Sequence, residues 1–402
     1  MDQIRARGAE GYLPAGPTVE KARALRGEIS AQAEANEAGG RLTDETLRIL
    51  RSGDFFSMLA PKVFGGAETP PTQLLAIYEA ISEADAATAW VLMASNVCIG
   101  TTSGYLATDI ARDIFRSHIP IIAGVGAPMG RADVVDRGFR LSGRWKYGSG
   151  VLHSEWIHCG AAVFENGQRR MHEGRPEVRT FVVPSGEAVF LGNWDTLGLR
   201  ATGSVDFSLK EVFVPLEFTH FPSARHCPHG GSLYRLGVGG FAACGHAAVA
   251  MGIARRVLDE LRQVVTGEGT KPRALSNSGG NESFHEQYAL AEGKLRAGRA
   301  FCYEVFGEVE ERLASERPVT TRDFTLMRLA LSHVTSAAAE ICAFAHKAAS
   351  GTSLRSGVLQ RYFRDMYSAT QHQIVSGFIL SECGRELLGR AEGESWTNQG
   401  LV

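Results

Sequence analysis

The sequence predicts a mostly helical protein with a β domain in the middle of the chain, and two observations lead to this prediction. Helical patterns fill residues 18–117 and return after about residue 223. Between them, short runs of β-branched and aromatic residues alternate with turn residues, as strands do. The predicted domains are an N-terminal helical domain (1–117), a central β domain (118–222) and a C-terminal helical bundle (223–402).

The individual elements follow from the same patterns. A helix is predicted to begin near Thr43, another covers residues 72–84, and an apolar, small-residue helix covers 87–106. The strand-like runs between 118 and 222 are spaced as in an antiparallel barrel or sandwich. Four helices are predicted in the last domain, over residues 240–265, 284–313, 321–349 and 359–388.

Composition excludes several classes of protein. With 44% hydrophobic and 21% charged residues the chain is typical of a soluble globular protein. A net charge of −2 without a basic block argues against a nucleic-acid partner. No apolar run is long enough to suggest a membrane span, and the first twenty residues lack the apolar core of a secretory signal. Seven scattered cysteines favour reduced thiols and a cytoplasmic protein.

Two motifs are set aside. GVGAPMG (124–130) superficially resembles a dinucleotide loop, but Pro128 interrupts it and a strand follows, so a turn of the β domain is expected. HCPH (226–229) offers three possible metal ligands, but no second cluster has the spacing of a zinc site. No metal is predicted.

Two segments of the β domain could form a binding site. GRWKYGSGVLHSEW (143–156) is expected to be a hairpin whose Gly-Ser-Gly turn lets a ligand approach the backbone, with rings that either pack against a flat cofactor or fill the β core. In the segment 193–209, alternation places Arg200, Thr202, Ser204 and Asp206 on one strand face. That face is either a polar pocket wall or the exposed side of a strand.

The stretch RYFRDMYSATQH (361–372) is the most informative in the chain. On one continuous helix Arg361, Asp365, Ser368 and His372 would share a stripe. Unpaired polar groups are costly in an apolar core, so the stripe either lines a site or faces water. In the second case, Arg361 and Asp365 would form an ordinary surface ion pair.

Six pieces in this order resemble the acyl-CoA dehydrogenase flavoprotein superfamily across nearly the whole chain: LAPKVFGG, ISEADAATAW, GRWKYGSG, WDTLGLRATGSVDFSLKEVFVP, MGIARRVLDEL and LQRYFRDMYSATQH. The resemblance implies an N-terminal helical domain, a central β domain and a C-terminal four-helix bundle. Y-G-S-G and the ending R-D-x(6)-H resemble the branch of two-component flavin-dependent monooxygenases. In the dehydrogenases the R-D helix leads to a catalytic Glu, whereas here His372 and Gln373 stand at that point.

Two further departures from the dehydrogenases matter. Their T-E-P-x-A-G-S-D motif is replaced by GVGAPMGRADV, and KPRAL stands where Arg-x-x-Phe-Gly is expected, which leaves FMN or FAD open. The chemistry agrees with the loss of the Glu. Dehydrogenation requires a base for a C–H proton, whereas oxygenation requires a dry pocket with oriented donors.

The resemblance implies a monooxygenase that uses reduced flavin (FMNH2 or FADH2) and O2 to hydroxylate a small aromatic, polyketide-like or amine substrate. It also implies a separate flavin reductase and a homotetramer. His372 would be the pocket histidine and Ser149 the hydroxyl near the flavin ring. The substrate pocket would include Ser95 and Asn96, and Arg273 would bind a flavin phosphate. The remaining flavin contacts would be Trp145, Tyr147, Gly148, Gly150, Trp156, Thr202 and Ser204.

Two other functions remain open on the sequence. One is a thioester dehydrogenase that uses a different base, such as Glu382 or Glu386. The other is a catalytically silent subunit that serves in binding or assembly.

Overall fold

The computed structural model describes residues 16–222, 227–267, 281–397 and 400–402. Helices come first, strands follow, and helices return, as predicted. The N-terminal helices are α1 (Val19–Ala24), α2 (Arg26–Gly39), α3 (Asp44–Ser52), α4 (Pro71–Ala84), α5 (Ala86–Tyr105) and α6 (Thr108–Ile114).

Helix α5 joins the helical and β parts of the protein. It begins at Asp85, whose carboxylate accepts the Thr88 backbone N–H, an N-cap of the usual kind. Nearly all its residues are buried, because it packs against α4 and α7 on one side and against β1 on another. A helix that is apolar all round belongs in an interior position, so its polar residues are of special interest.

The central sheet is mixed, which corrects the antiparallel prediction. Its order is β10-β7-β3-β1-β2-β9-β8, and β1 pairs with β3 in parallel. Because β1 lies between β2 and β3, residues 143–156 do not form the predicted hairpin. The strands of this sheet are β1 (Ile122–Val135), β2 (Gly138–Trp145), β3 (Trp156–Glu165), β4 (Gln168–Arg169, paired with β3), β7 (Val178–Pro184), β8 (Val189–Phe190), β9 (Phe207–Pro215) and β10 (Thr219–His220). The strands β5 (Met171–His172) and β6 (Arg175–Pro176) form a separate two-stranded sheet.

The segment GVGAPMG lies inside β1 and is not a turn. The register of β1 against β3 shifts between Val125 and Pro128 and again between Pro128 and Gly130. Proline has no N–H to donate to a sheet, so it is accommodated at such an irregularity.

The C-terminal part is a helical bundle closed by a short hairpin. Its helices are α7 (Gly237–Thr266), α8 (Glu282–Ala314), α9 (Thr321–Ala348), α10 (Gly351–Leu354), α11 (Val358–Ala369) and α12 (Gly377–Leu387), and the hairpin strands are β11 (Trp396–Thr397) and β12 (Gly400–Leu401). The single helix predicted over 359–388 is therefore two helices, separated by a 3₁₀ turn at Gln373–Val375.

Helix α7 lies at the centre of the bundle and packs against α4, α5 and α9. A Cβ at Gly245 would lie 2.0 Å from Met93 Cγ, so this glycine permits the close approach of α5 and α7. The helical segment Ser232–Thr266 has the length and apolar character of a membrane span, but 78% of its most apolar window is buried inside the protein. It serves as a core helix.

Candidate active site

A turn at residues 146–150 presents the Ser149 hydroxyl between α5 and the β domain. The Gly148 and Gly150 amides donate to the carbonyls of Val205 and Thr202, each at 3.1 Å. Gly150 has φ +78°, and a Cβ on Gly148 would lie 2.7 Å from Val151. Both glycines are therefore required by the geometry of the turn.

The segment 200–206 is not the predicted alternating strand. It forms a 3₁₀ turn at Arg200–Thr202, and the backbone changes direction at Gly203, where φ is +53°. Strand β9 begins only at Phe207. This reversal nevertheless brings the Thr202 and Ser204 hydroxyl oxygens to 2.7 Å from each other. Their common location was predicted, although the reason given for it was wrong.

The hydroxyls form one directed chain of hydrogen bonds. Trp90 Nε1 donates to Ser149 Oγ at 3.1 Å, and Ser149 Oγ lies 2.7 Å from Ser204 Oγ. The Thr202 hydroxyl donates to the Leu199 carbonyl at 2.7 Å. Since each hydroxyl has one proton, Ser204 must donate to Thr202, and Ser149 must donate to Ser204. The Ser149 proton is therefore committed, and its remaining lone pair is open.

Helix α11 holds the end of this chain in place. The Leu199 amide donates to Asp365 Oδ1 at 2.6 Å, and a Cβ on Gly198 would lie 2.2 Å from the Arg364 backbone. Burial raises the pKa of Asp365 to about 7, although the bond from Leu199 acts in the opposite direction. Arg361 and Asp365 are both buried, which contradicts the surface-helix interpretation of this stretch.

The predicted stripe ends before His372. Helix α11 ends at Ala369, and His372 caps the following 3₁₀ turn, where its Nδ1 accepts the Ile374 backbone N–H at 3.3 Å. In the neutral ring the proton is consequently on Nε2. Desolvation by surrounding atoms lowers the pKa of His372 to about 4, although the residue as a whole is exposed to solvent.

Sequence reasoning missed two residues, Trp90 and His246. Their ring centroids are 4.8 Å apart, and the His246 ring lies 4.5 Å from that of His372. The Met93–Gly245 contact brings them together, because it joins α5 and α7 beside both rings. The available signal was a single histidine within the apolar, small-residue run GGFAACGHAAVAMG.

Three predicted site residues are fully buried. Trp145 has no exposed surface; it stacks on Phe207 and donates to the Gly160 carbonyl at 2.8 Å, so the alternative of a β-core aromatic applies. Asn96 is fully buried and bonds to the backbone at Phe55, Leu59 and Leu92. Neither residue can line an open pocket. Ser95 is also fully buried, behind the Gly150 turn.

The other predicted residues are placed as follows. Tyr147 is 68% exposed, and its backbone N–H bonds to Asp206. Trp156 is half-buried, stacks on Phe218 and borders a groove of about 480 Å³ between β7 and β9. Their contacts with flavin stay predictions. Arg273 and His226 lie outside the described residues, and within the described part of the chain no group of three potential ligands could hold a metal ion.

The glutamates considered as alternative bases are engaged elsewhere. Glu382 pairs with Arg385, and Glu386 pairs with Arg322, each at 2.8 Å. Neither carboxylate has a bond to the chain of hydroxyls.

Comparison with known proteins identifies the family. The family model "Acyl-CoA dehydrogenase, N-terminal domain" matches residues 20–112, and "Acyl-CoA dehydrogenase, C-terminal domain" matches residues 244–377. The chain belongs to the acyl-CoA dehydrogenase family. Both the resemblance found in the sequence and the predicted fold class are confirmed.

Relatives within this family are named as oxygenases. An indole-3-acetate monooxygenase of Pseudomonas putida is 29% identical over 97% of this chain and 98% of its own length. A pigment production hydroxylase of Rhodococcus sp. is 27% identical over 92% of this chain and 95% of its own. These relatives confirm the predicted enzyme class, a flavin-dependent monooxygenase.

Solved structures show the same fold. The 3-HSA hydroxylase from Rhodococcus sp. RHA1 has a TM-score of 0.83 and 22% identity, over 92% of this chain and 96% of its own. XiaF from Streptomyces sp., in complex with FADH2 and glycerol, has a TM-score of 0.82 and 20% identity, over 92% of this chain and 94% of its own.

Proposed function

We propose that this protein is the oxygenase component of a two-component monooxygenase that hydroxylates a small aromatic substrate beside Ser149 and His372. The overall reaction converts substrate R–H, O2 and reduced flavin into R–OH, water and oxidised flavin. The observation that carries the proposal is the directed chain of hydroxyls ending at Ser149. Relatives named as monooxygenases of indole-3-acetate and as a resorcinol hydroxylase support an aromatic substrate.

The residues around the turn fit a flavin ring. Tyr147 offers an exposed aromatic surface, Ser149 offers an open lone pair, and the two glycines remove side chains from the approach. When bound, reduced flavin supplies the two electrons that activate oxygen. A relative named as an FADH(2)-dependent resorcinol hydroxylase, oxygenase component, supports this cofactor.

The polarity at Ser149 favours the reduced cofactor. Because its own proton is given to Ser204, Ser149 presents an acceptor to any group in front of it. Reduced flavin carries a ring N–H at N5 that oxidised flavin lacks. An acceptor therefore stabilises the reduced form selectively, which suits an enzyme that receives its flavin from a separate reductase.

His372 has the complementary polarity. Its Nδ1 is occupied by the Ile374 amide, so Nε2–H is left to donate a hydrogen bond into the site. A positioned donor of this kind stabilises negative charge that develops on oxygen during the reaction. The low pKa keeps the ring neutral at ordinary pH, so it donates without adding a charge.

We also propose that the protein is a homotetramer. Exposed apolar side chains on α12 and just after its end support a subunit interface at this helix: Phe378, Leu380, Leu387 and Leu388. In such an assembly Arg273 would serve a flavin phosphate, and the enzyme would work in the cytoplasm with a separate reductase.

Replacing Ser149 tests the proposal. Anaerobic titration with FMNH2, FADH2 and their oxidised forms should show tighter binding of a reduced flavin by wild-type protein. In Ser149→Ala we expect the reduced form to lose about 3- to 10-fold in affinity, as for one neutral hydrogen bond, while oxidised flavin is unaffected.

Ser103→Ala is the matched control, since it removes a hydroxyl that bonds only within its own helix α5, at Ile99 and Gly100. It should leave both affinities unchanged. Equal losses for both redox states in Ser149→Ala, or tight oxidised FAD in purified wild type with turnover of an acyl thioester, would overturn the proposal.

A further inference from the structure

His246 is a buried polar side chain that takes no part in the chain of hydroxyls at Ser149. It lies on α7, is 9% exposed, and contacts the rings of Trp90 and His372. Its Nε2 finds no hydrogen-bond partner among the described residues. Buried polar atoms are nearly always bonded, and an exception calls for an explanation.

The protonation state of His246 follows from its backbone contact. Its Nδ1 lies 2.8 Å from the carbonyl oxygen of Ala242, one turn earlier on the same helix. A carbonyl can only accept, so Nδ1 carries the proton and Nε2 holds a lone pair. Burial above all, and then His372, lower the pKa of His246 to about 3. The ring is therefore a neutral acceptor.

The direction of this lone pair follows from the same bond. Because Nδ1 is tied back to α7, the Nε2 edge of the ring points away from its own helix, toward the cluster with Trp90 and His372. Those two neighbours offer N–H groups, and the Trp90 N–H is already given to Ser149. In this ring cluster His246 supplies the acceptor.

We propose that His246 accepts a hydrogen bond from an N–H or O–H group of the aromatic substrate and so selects donor-bearing rings. This inference rests on the proposed function, since it assumes that the substrate lies beside the Ser149 turn. It divides the work between the two histidines: His372 donates toward the oxygen chemistry, and His246 orients the ring. An aromatic compound of the same shape without the donor would leave the buried nitrogen without a partner, which is penalised.

The test compares two probes that differ in the donor. Indole carries a ring N–H, and benzofuran has an oxygen at that position. Calorimetric titration of the whole protein, under anaerobic conditions with and without FADH2, gives both affinities without requiring turnover. We expect wild type to bind indole about tenfold more tightly than benzofuran, near the upper end for one buried neutral hydrogen bond.

Three variants assign this preference. His246→Phe keeps an aromatic ring without an acceptor and should bind both probes equally. His246→Gln carries a side-chain oxygen at a similar reach and should restore part of the preference. His220→Phe is the matched control, because His220 is also buried, with Nδ1 on a backbone carbonyl and Nε2 without a partner among the described residues; it should retain the wild-type ratio.

The outcomes separate this inference from the proposed function. A wild-type preference that survives in a folded His246→Phe overturns the role of His246, as does equal binding, or no binding, of indole and benzofuran by wild type. If the preference for indole depends on His246 but Ser149→Ala shows no selective loss of affinity for reduced flavin, His246 is the hydrogen-bond acceptor and the proposed function at Ser149 is wrong.

Discussion

Among the described residues, two pairs of histidine rings lie in contact, and the two pairs differ in how far they are enclosed. His158 and His220 lie between the β domain and the end of α5, with ring centroids 5.6 Å apart, and His246 and His372 lie beside the Ser149 turn, 4.5 Å apart. Burial lowers the pKa in both pairs, to about 3 for His158 and His246 and to about 4 for His220 and His372.

The surroundings of the two pairs are different. His158 lies 3.3 Å from the Thr102 hydroxyl, and the His220 ring is covered by that of Tyr105, so this pair is enclosed. His372, in contrast, keeps an exposed face and lies 5.9 Å, ring to ring, from Trp90, which bonds to Ser149. Trp90 and Thr102 stand twelve positions apart on α5, or about 18 Å. A neutral imidazole with a lowered pKa therefore does not by itself indicate a functional site. Exposure to solvent beside the hydrogen-bonded hydroxyls is the feature that distinguishes His372.

The largest expected effect is at His372. His372→Ala should fold and bind reduced flavin, but lose the donor that supports oxygen transfer, so that hydroxylation falls by about 10²–10³-fold and hydrogen peroxide accumulates. The measurement is the ratio of hydroxylated product to peroxide, with circular dichroism as the check on folding. An unchanged ratio would show that His372, like the enclosed pair His158 and His220, has no role in hydroxylation.

A smaller effect is expected in the acid stability of the enclosed pair. Native His220 stays neutral down to about pH 4, whereas in the unfolded chain it takes up a proton near pH 6.5. Stability is therefore complete above about pH 6.5 and falls as the pH drops toward 4. The contribution of one such group reaches about 1.4 kcal/mol per pH unit.

His220→Phe lacks this titration, so its unfolding free energy should depend less steeply on pH than that of wild type. Urea unfolding at about pH 7, 6 and 5 measures the difference. Parallel pH profiles for the two proteins would show that His220 is not held neutral by burial.

The smallest effect is expected for hydroxylation by the variant His220→Phe. Because His220 contacts Tyr105 and the backbone of Phe221, and no hydroxyl of the Ser149 chain, His220→Phe should leave the product-to-peroxide ratio within about twofold of wild type, as for a substitution away from the site. A loss comparable to that in His372→Ala would show that His220 also contributes to hydroxylation, and that the two pairs do not differ in function.

The sequence by itself determined the order of helices and strands and the family, because helix periodicity and short motifs are local properties of the chain. It also proposed Ser149 and His372 as site residues, which stays a prediction. Alternation correctly drew attention to Thr202 and Ser204, but the positive φ at Gly203 replaced the expected strand by a reversal. The parallel pairing of β1 with β3 depends on strands distant in sequence, so the local pattern could not show it.

Only the tertiary structure decided which polar residues lie beside the Ser149 turn. Trp145 and Asn96 are of residue types that are common in binding pockets, but both side chains are fully buried in the interior. Trp90 and His246 are 156 positions apart in the chain and meet because a glycine, Gly245, lets α5 and α7 approach closely at Met93. The tautomers of the two site histidines, and hence which donates and which accepts, follow from single backbone contacts at Ala242 and Ile374, which exist only once the chain has folded.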